Sequence, residues 1–157
     1  MAESKYEKYL VRKPLLEMGP ASPRRGRTFR TVPGLTYMSN DLVPGSNTYI
    51  EMGWIWDMPE PNPHIFEHSN EDYDEIVLHI GNDPNNPEDL GAEIEFCVGG
   101  EPLVFDTTTA LFVPKGLKHG PLTWKRVSRP HLELTITIGA GTLAQAMPAG
   151  IRKQPSK

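Results

Sequence analysis

The sequence has a single cysteine and no apolar run long enough to span a membrane. Cys97 is the one cysteine among 157 residues, which excludes an internal disulfide and the paired-cysteine sites of zinc fingers and dithiol redox centres. No stretch approaches the roughly 18 consecutive apolar residues of a spanning helix. The amino terminus lacks the apolar region of a secretory signal. We therefore expect a cytoplasmic protein with no membrane partner.

Lysine and arginine are absent from the whole middle of the chain. None lies between Arg30 and Lys115, an interval that holds sixteen aspartates and glutamates, whereas the first thirty residues hold eight lysines and arginines against three glutamates. Because the acidic body repels phosphate and the basic residues are dispersed, we expect no nucleic-acid partner. The basic arm is expected to lie across an acidic barrel, its own or that of a partner subunit.

Long segments with helical periodicity are also missing. Sixteen prolines and fourteen glycines punctuate the chain, which favours short elements joined by turns. Five segments have the alternation or the short apolar runs of strands, and the pair around Gly99 and Gly100 is typical of a hairpin. These segments are NTYIEMGWIWDM, DEIVLHIG, AEIEFCVGGEPLVF, TTALFVP and HLELTITIG. They predict an all-β fold, either a sandwich or a small barrel.

The length suits one domain with a modest core. We predict a basic arm over 1–35 that is exchanged in a homodimer, a barrel over 36–142 and a carboxy-terminal tail over 143–157. In the last strand, Leu132 and Leu134 alternate with His131, so we expect the leucines to face inward and His131 to face outward.

The segment VPKGLKHGP places a rigid turn before a histidine. Pro114 fixes its own φ and Gly116 permits a turn closed to other residues, so the segment is predicted to end one strand and begin the next with His119 directed inward. Another histidine, His68, stands seven residues before Glu75, which opens an apolar strand. Burying Glu75 without a cation would be costly, and no lysine or arginine is near in sequence, so a divalent ion is one physical solution.

These two pieces resemble the cupin superfamily. PKGLKH matches the P-x-G-xx-H core of the second cupin motif, and His68 and Glu75 match the first and last residues of H-x-H-xxx(x)-E, with Asn70 in place of the second histidine. The motif glycines at positions 62 and 108 are replaced by asparagine and threonine. The resemblance covers about 47–140 and implies a cupin-type double-stranded β-helix, which is a jelly-roll barrel.

The resemblance also implies a metal site. It makes His68, Glu75 and His119 ligands of a divalent ion, namely Fe, Mn, Zn or Ni. The fourth ligand stays open: Asn70 offers a carbonyl oxygen, Glu71 is a better anionic ligand if the loop shifts register, and His64 is a further candidate. Ions that select thiolate ligands are disfavoured because the single cysteine is remote from both motifs.

Four other residues are candidates for contact with a substrate. Tyr73, two residues before Glu75, is expected to point inward and act as a proton donor or substrate contact beside the catalytic Glu75. Trp54 and Trp56, together with the neighbouring Met52, are expected to form an apolar wall of the pocket. His79 lies four residues after Glu75, about 13 Å along a strand, and is expected to be a core or pocket histidine.

Two functions follow from these features. The first is a small metal-dependent cupin enzyme, an isomerase, lyase or dioxygenase acting on a small polar oxygenated metabolite at a His/His/Glu centre. The second is a non-catalytic ligand-binding or structural cupin whose first motif marks an eroded metal site. The missing second histidine is the feature that separates them, and metal content is the observation that discriminates between them.

Overall fold

The computed structural model of the chain describes residues 4–16, 35–60 and 62–146. Within these ranges it contains nine strands, a 3₁₀ turn at Glu7–Tyr9 and one short helix, α1, at Leu143–Ala146. The strands are β1 Leu15–Leu16, β2 Leu35–Met38, β3 Thr48–Ile55, β4 Asp74–Ile80, β5 Asp89–Val98, β6 Glu101–Thr107, β7 Thr109–Val113, β8 His119–Val127 and β9 His131–Ile138. The all-β prediction is confirmed, and every segment with a strand pattern contains a strand.

The strands form two antiparallel sheets that face each other. The larger sheet has the order β1-β2-β3-β9-β4-β7, and the smaller sheet has the order β6-β5-β8. The segment 62–68 pairs with the other edge of β8 through bridges Ile65–Leu122 and His68–His119, and so extends the smaller sheet. With this segment counted, the chain from β3 to β9 supplies four strands to each sheet in the arrangement of a jelly roll.

The apolar core lies between the two sheets. Ile55 and Val77 come from the larger sheet, and the smaller sheet contributes the rest of the buried cluster. Those residues are Leu90, Ala92, Ile94, Phe96, Leu122 and Trp124. Because apolar burial is the dominant favourable term in folding, this cluster is what holds the sheets face to face.

The alternation predicted for β3 is confirmed, but its predicted inward face is wrong. Glu51 and Ile55 are buried, whereas Trp54 is 38% exposed and Trp56, just beyond the strand, is 45% exposed. Met52 shares the outer face with Trp54. The apolar wall expected from these residues therefore lies on the outside of the sheet, away from the space between the sheets.

The faces of β9 are reversed in the same way. His131 is fully buried and Glu133 is 4% exposed, so the prediction that His131 faces outward is wrong. The indole Nε1–H of Trp124 donates a hydrogen bond to His131 Nε2 at 3.1 Å, from the opposite sheet. A buried polar side chain is tolerated where it is hydrogen-bonded, and Trp124 supplies that bond here.

The predicted arm and tail are described only in part. Residues 4–16 include the ion pair between Arg12 and Glu7, and β1 pairs with β2 at the edge of the larger sheet. Residues 17–34 and 147–157 lie outside the described residues, so the domain limits and the exchange of the arm stay predictions. Among the described residues, no helix has the length and apolar character needed to cross a membrane.

Substitution of His131 tests the role of its buried hydrogen bond. His131→Ala is expected to lower the free energy of unfolding by about 2–4 kcal/mol, because it leaves a cavity and removes the acceptor of a buried indole N–H. His131→Gln keeps an acceptor and should lose less. Urea denaturation measures both, with the exposed Val104→Ala as control, and equal losses for Ala and Gln would contradict the assignment.

The same residue makes stability depend on pH. Burial lowers the pKa of His131 from its ordinary value of 6.5 and outweighs the nearby Glu133 carboxylate. A histidine held neutral in the folded state contributes stability that is present above the unfolded pKa and is lost as the pH falls below it. From about pH 7.5 to about pH 5.5, the unfolding free energy should fall more steeply for the natural chain than for His131→Gln.

Candidate metal centre

The candidate site begins with a backbone pairing between the segment 62–68 and the start of β8. The N–H of His68 donates to the carbonyl of His119 at 2.9 Å, and the N–H of His119 donates to the carbonyl of His68 at 2.9 Å. Residues paired in this way have neighbouring side chains, and the two imidazole centroids lie 4.2 Å apart. The pairing therefore fixes both rings side by side.

Two glycines make this approach possible. The Leu117 N–H donates to the Pro114 carbonyl at 3.1 Å, closing a turn in which Gly116 has a φ of +80°. A positive φ at the third turn position is typical of a type II turn and selects glycine. At Gly120 a Cβ would lie only 2.6 Å from the Phe66 carbonyl oxygen. The predicted turn and the inward direction of His119, which is 1% exposed, are confirmed.

The carboxylate comes from the facing sheet. Glu75 is the second residue of β4, and its Oε2 lies 3.0 Å from Nε2 of His119. Among the described residues, His68, Glu75 and His119 are the group of His, Cys, Asp and Glu whose possible ligand atoms all lie within 4.8 Å of one another. The three residues predicted as ligands from two separate motifs are thus brought together.

Both imidazoles are oriented by backbone carbonyls. Nδ1 of His68 lies 2.8 Å from the Phe66 carbonyl, and Nδ1 of His119 lies 2.9 Å from the Leu117 carbonyl. A carbonyl can only accept, so each Nδ1 carries the proton and each Nε2 keeps a lone pair that a cation could use. Metal-binding histidines are commonly held in this way, because the second-shell bond fixes the ring and its tautomer.

The two histidines differ in their affinity for a second proton. Burial lowers the pKa of His68 and outweighs its bond to the Phe66 carbonyl. Burial would also lower the pKa of His119, but the hydrogen bonds to Glu75 and to the Leu117 carbonyl outweigh it, and the pKa is raised. Nε2 of His119 and the facing Oε2 of Glu75 both carry lone pairs, so a proton or a cation must lie between them.

A divalent cation fits this donor set. Two ligand atoms that each lie about 2.1 Å from one ion at a right angle are about 3 Å apart, close to the separation of Glu75 and His119. Two neutral imidazoles and one carboxylate suit Fe, Mn, Zn or Ni, and three protein ligands leave positions open to a substrate. The metal itself and its identity remain part of the proposal below.

The residues of both cupin motifs therefore meet inside a jelly roll of two four-stranded sheets, with His68 and His119 on the smaller sheet and Glu75 on the larger one. The chain has the cupin fold. No protein-family model matches the sequence, and no curated protein does.

Solved structures with a similar fold include three proteins described by fold or activity. A cupin protein from Bacteroides fragilis is 16% identical, with 69% of this chain and 79% of that chain covered and a TM-score of 0.45. A predicted oxalate decarboxylase from Thermotoga maritima is 12% identical, with 80% and 90% covered and a TM-score of 0.46. A sugar phosphate isomerase of the cupin superfamily from Silicibacter pomeroyi is 11% identical, with 67% and 59% covered and a TM-score of 0.44. The activities in these names are those of the named proteins.

Asn70 occupies the position of the missing histidine in this cupin barrel, and it contacts Glu75. Its Nδ2 donates to Glu75 Oε2 at 2.9 Å, and its Oδ1 lies 2.9 Å from the Tyr73 hydroxyl. Because a carboxylate only accepts, Nδ2 must face Glu75, and the amide oxygen points away from the ligand atoms. Asn70 thus orients the carboxylate in this arrangement, a role that its spacing in the motif did not indicate.

Three further candidates from the first motif are Tyr73, Glu71 and His64. Tyr73 is 4% exposed, with its hydroxyl also near the Ala146 carbonyl of α1, and its role as proton donor or substrate contact stays a prediction. Glu71 is exposed, and its carboxylate accepts a hydrogen bond from Ser69 Oγ. His64 is buried with Nε2 at 3.7 Å from Glu133 Oε1. Neither Glu71 nor His64 belongs to the three-residue cluster.

His79 is a buried histidine of the interior, as expected. It is 1% exposed, and its ring packs against Phe105, Trp124 and His131 with centroids 5.7 to 6.0 Å away. It is not a member of the three-residue cluster. Its predicted contact with a substrate stays a prediction.

Two residues beside Glu75 were not predicted from the sequence. Thr137 of β9 pairs with Glu75, and Tyr49 of β3 pairs with Thr137, so the three side chains form a row on the inner face. Thr137 is 1% exposed and Tyr49 is 2% exposed. Both residues alternate with apolar neighbours in the sequence. The prediction placed those apolar neighbours on the inner face, and so it placed Tyr49 and Thr137 on the outer face.

Asn70→Ala tests whether this amide positions Glu75. Losing an outer-shell partner commonly costs about 10- to 100-fold in metal affinity, and we expect that loss for Mn²⁺ in competition with a chelator. Tyr73→Phe should cost less because it leaves the bond between Asn70 and Glu75 in place. An unchanged affinity in Asn70→Ala, with an unchanged circular dichroism spectrum, would contradict the positioning role.

Proposed function

We propose that this cupin is a metal-dependent enzyme that acts on a small polar oxygenated metabolite. The observation that carries the proposal is the convergence of His68, Glu75 and His119, with both Nδ1 atoms held by backbone carbonyls so that each Nε2 keeps a lone pair. Two histidines and one carboxylate with open positions are typical of ferrous oxygenases, and the same donors also accept Mn, Zn or Ni.

A bound divalent metal would supply Lewis-acid polarisation of a substrate oxygen or, as ferrous iron, activation of dioxygen. This places the reaction among isomerisation, lyase and dioxygenase chemistry. The chain's own residues hold the site: His68 and His119 from one sheet, Glu75 from the other, and Asn70 on the carboxylate. Preorganised ligands lose little freedom when the ion binds, which favours tight binding.

The residues beside the ligands support a polar substrate. Thr137 and Tyr49 lie in the row of Glu75 on the inner face and make it polar, with their hydroxyls bonded to the Ala140 carbonyl and to the Thr36 hydroxyl. Tyr73, just before β4, is buried and lies one hydrogen bond from Asn70. Tyr73 is the proposed proton donor because its hydroxyl is the ionisable group linked to the ligand Glu75 through a single amide.

Metal content tests the proposal against a non-catalytic cupin. Protein prepared without chelator or nickel affinity resin should contain close to one equivalent of Fe, Mn, Zn or Ni by elemental analysis. His119→Ala and Glu75→Gln should each lower the bound fraction by at least about 10-fold, because they remove a donor or the anionic charge of the site. His79→Ala, a histidine outside the cluster, should retain metal.

The substrate class has its own test. Small hydroxy acids, keto acids and sugar phosphates should raise the melting temperature of metal-loaded protein, and His119→Ala should lose that shift, since a ligand that binds only the folded holoprotein stabilises it. Absence of metal after reconstitution with all four ions would favour the non-catalytic reading. Metal loss in His79→Ala but not in His119→Ala would contradict the assigned ligands.

A further inference from the structure

The Tyr73 hydroxyl lies between two acceptors that belong to different parts of the molecule. It lies 2.9 Å from Oδ1 of Asn70 and 2.5 Å from the carbonyl oxygen of Ala146 in α1. A tyrosine hydroxyl has one proton, so it donates to one of these oxygens at a time. Tyr73 and Asn70 are both buried, so water does not readily replace the bond that is not made.

One of the two acceptors leads to the candidate metal centre. Nδ2 of Asn70 donates to Glu75 Oε2 at 2.9 Å, and the same oxygen lies 3.0 Å from His119 Nε2. When Tyr73 donates to Oδ1 of Asn70, it polarises the amide and strengthens the bond from Nδ2 to the carboxylate, because hydrogen bonds in a chain reinforce one another. Donation to Ala146 removes that reinforcement.

The other acceptor belongs to a segment that begins beside the row of Glu75. Thr137 of β9 pairs with Glu75, and its hydroxyl donates to the Ala140 carbonyl at 2.8 Å. At Gly141 a Cβ would lie only 2.3 Å from the Ser46 carbonyl oxygen, so the chain passes closely against the loop before β3. These contacts fix the start of the segment that carries α1 at the same end of the barrel as Glu75.

α1 itself is a single turn with few bonds of its own. Its sequence TLAQ has the capping-box pattern, in which the Gln145 N–H lies 3.2 Å from Thr142 Oγ1 and the Gly141 N–H donates to Gln145 Oε1 at 3.0 Å. The Ala146 N–H donates to the Thr142 carbonyl at 2.9 Å. Because so short a helix is marginal on its own, a bond from Tyr73 to its last carbonyl changes its population appreciably.

We propose that Tyr73 is a conformational switch that couples the docking of α1 to the support of Glu75. In one state the Tyr73 proton is donated to Ala146 and holds α1 on the barrel; in the other it is donated to Asn70 and supports the carboxylate. Because two acceptors compete for one proton, the two states oppose each other. Coupling between sites is reciprocal, so each side changes the other by the same factor, about 2- to 10-fold for one net hydrogen bond.

Amide exchange of α1 in the metal-free full chain tests the competition. The N–H groups of Gln145 and Ala146 are bonded to Thr142, so their exchange rates, measured by NMR, report the population of α1. Asn70→Ala leaves Ala146 as the acceptor of the Tyr73 proton and should slow this exchange by about 2- to 10-fold. Tyr73→Phe should speed the exchange, and adding Asn70→Ala to Tyr73→Phe should have no further effect.

Ser69→Ala is the matched control for the exchange experiment. It changes the residue next to Asn70 in the same loop, and the hydroxyl that it removes bonds to Glu71 and not to Tyr73. Exchange of α1 should therefore be unchanged in this variant. The proposal is overturned if Asn70→Ala does not slow the exchange, if Ser69→Ala slows it equally, or if the slowing persists without the Tyr73 hydroxyl.

Manganese affinity tests the coupling from the other side, and this arm rests on the proposed function. Gln145→Pro removes an N–H that α1 uses and should release Ala146, so the Mn²⁺ affinity in competition with a chelator should rise by about 2- to 10-fold. In the Tyr73→Phe background the same substitution should leave the affinity unchanged. This arm decides if Asn70→Ala fails to fold, and a rise in both backgrounds or in neither contradicts the switch. A natural chain that binds no Mn²⁺ contradicts the proposed function alone, and the metal-free exchange then decides the switch.

Discussion

The backbone pairing of segment 62–68 with the start of β8 is the contact on which the rest of the site depends. It brings His68 to His119 although the two are far apart in sequence, and it completes the smaller sheet of the jelly roll. The close approach at Gly120 leaves no room for a Cβ, so the chain permits this pairing only with glycine there. A loop residue and a strand residue become neighbouring candidate ligands because two peptide groups pair, not because the motifs are adjacent.

The second constraint is a sheet whose amphipathic pattern is reversed. Glu51 and Glu133 are buried on its inner face, while leucine and isoleucine occupy the outer face. A buried carboxylate needs a cation or hydrogen-bond donors. The inner face therefore presents polar groups on the side of the sheet that carries Glu75.

The sequence pattern predicted the strands and the turn but not the direction of the side chains. A period of two fixes which residues of β3 and β9 share a face, and it is equally consistent with either face being inside. Choosing the apolar face as inner misplaced Trp54 and His131. The turn before His119 could be predicted from the sequence, because the conformations of Pro114 and Gly116 are local properties. Asn70 could not, since its contact with Glu75 is set by the fold.

The candidate site differs from the cupin motif at one position, where Asn70 stands in place of the second histidine. Because Nδ2 of Asn70 donates to Glu75 and its Oδ1 faces the Tyr73 hydroxyl, the amide supports the carboxylate, and three candidate ligands remain. β9 backs the carboxylate directly, because its Thr137 pairs with Glu75 and lies beside it on the inner face.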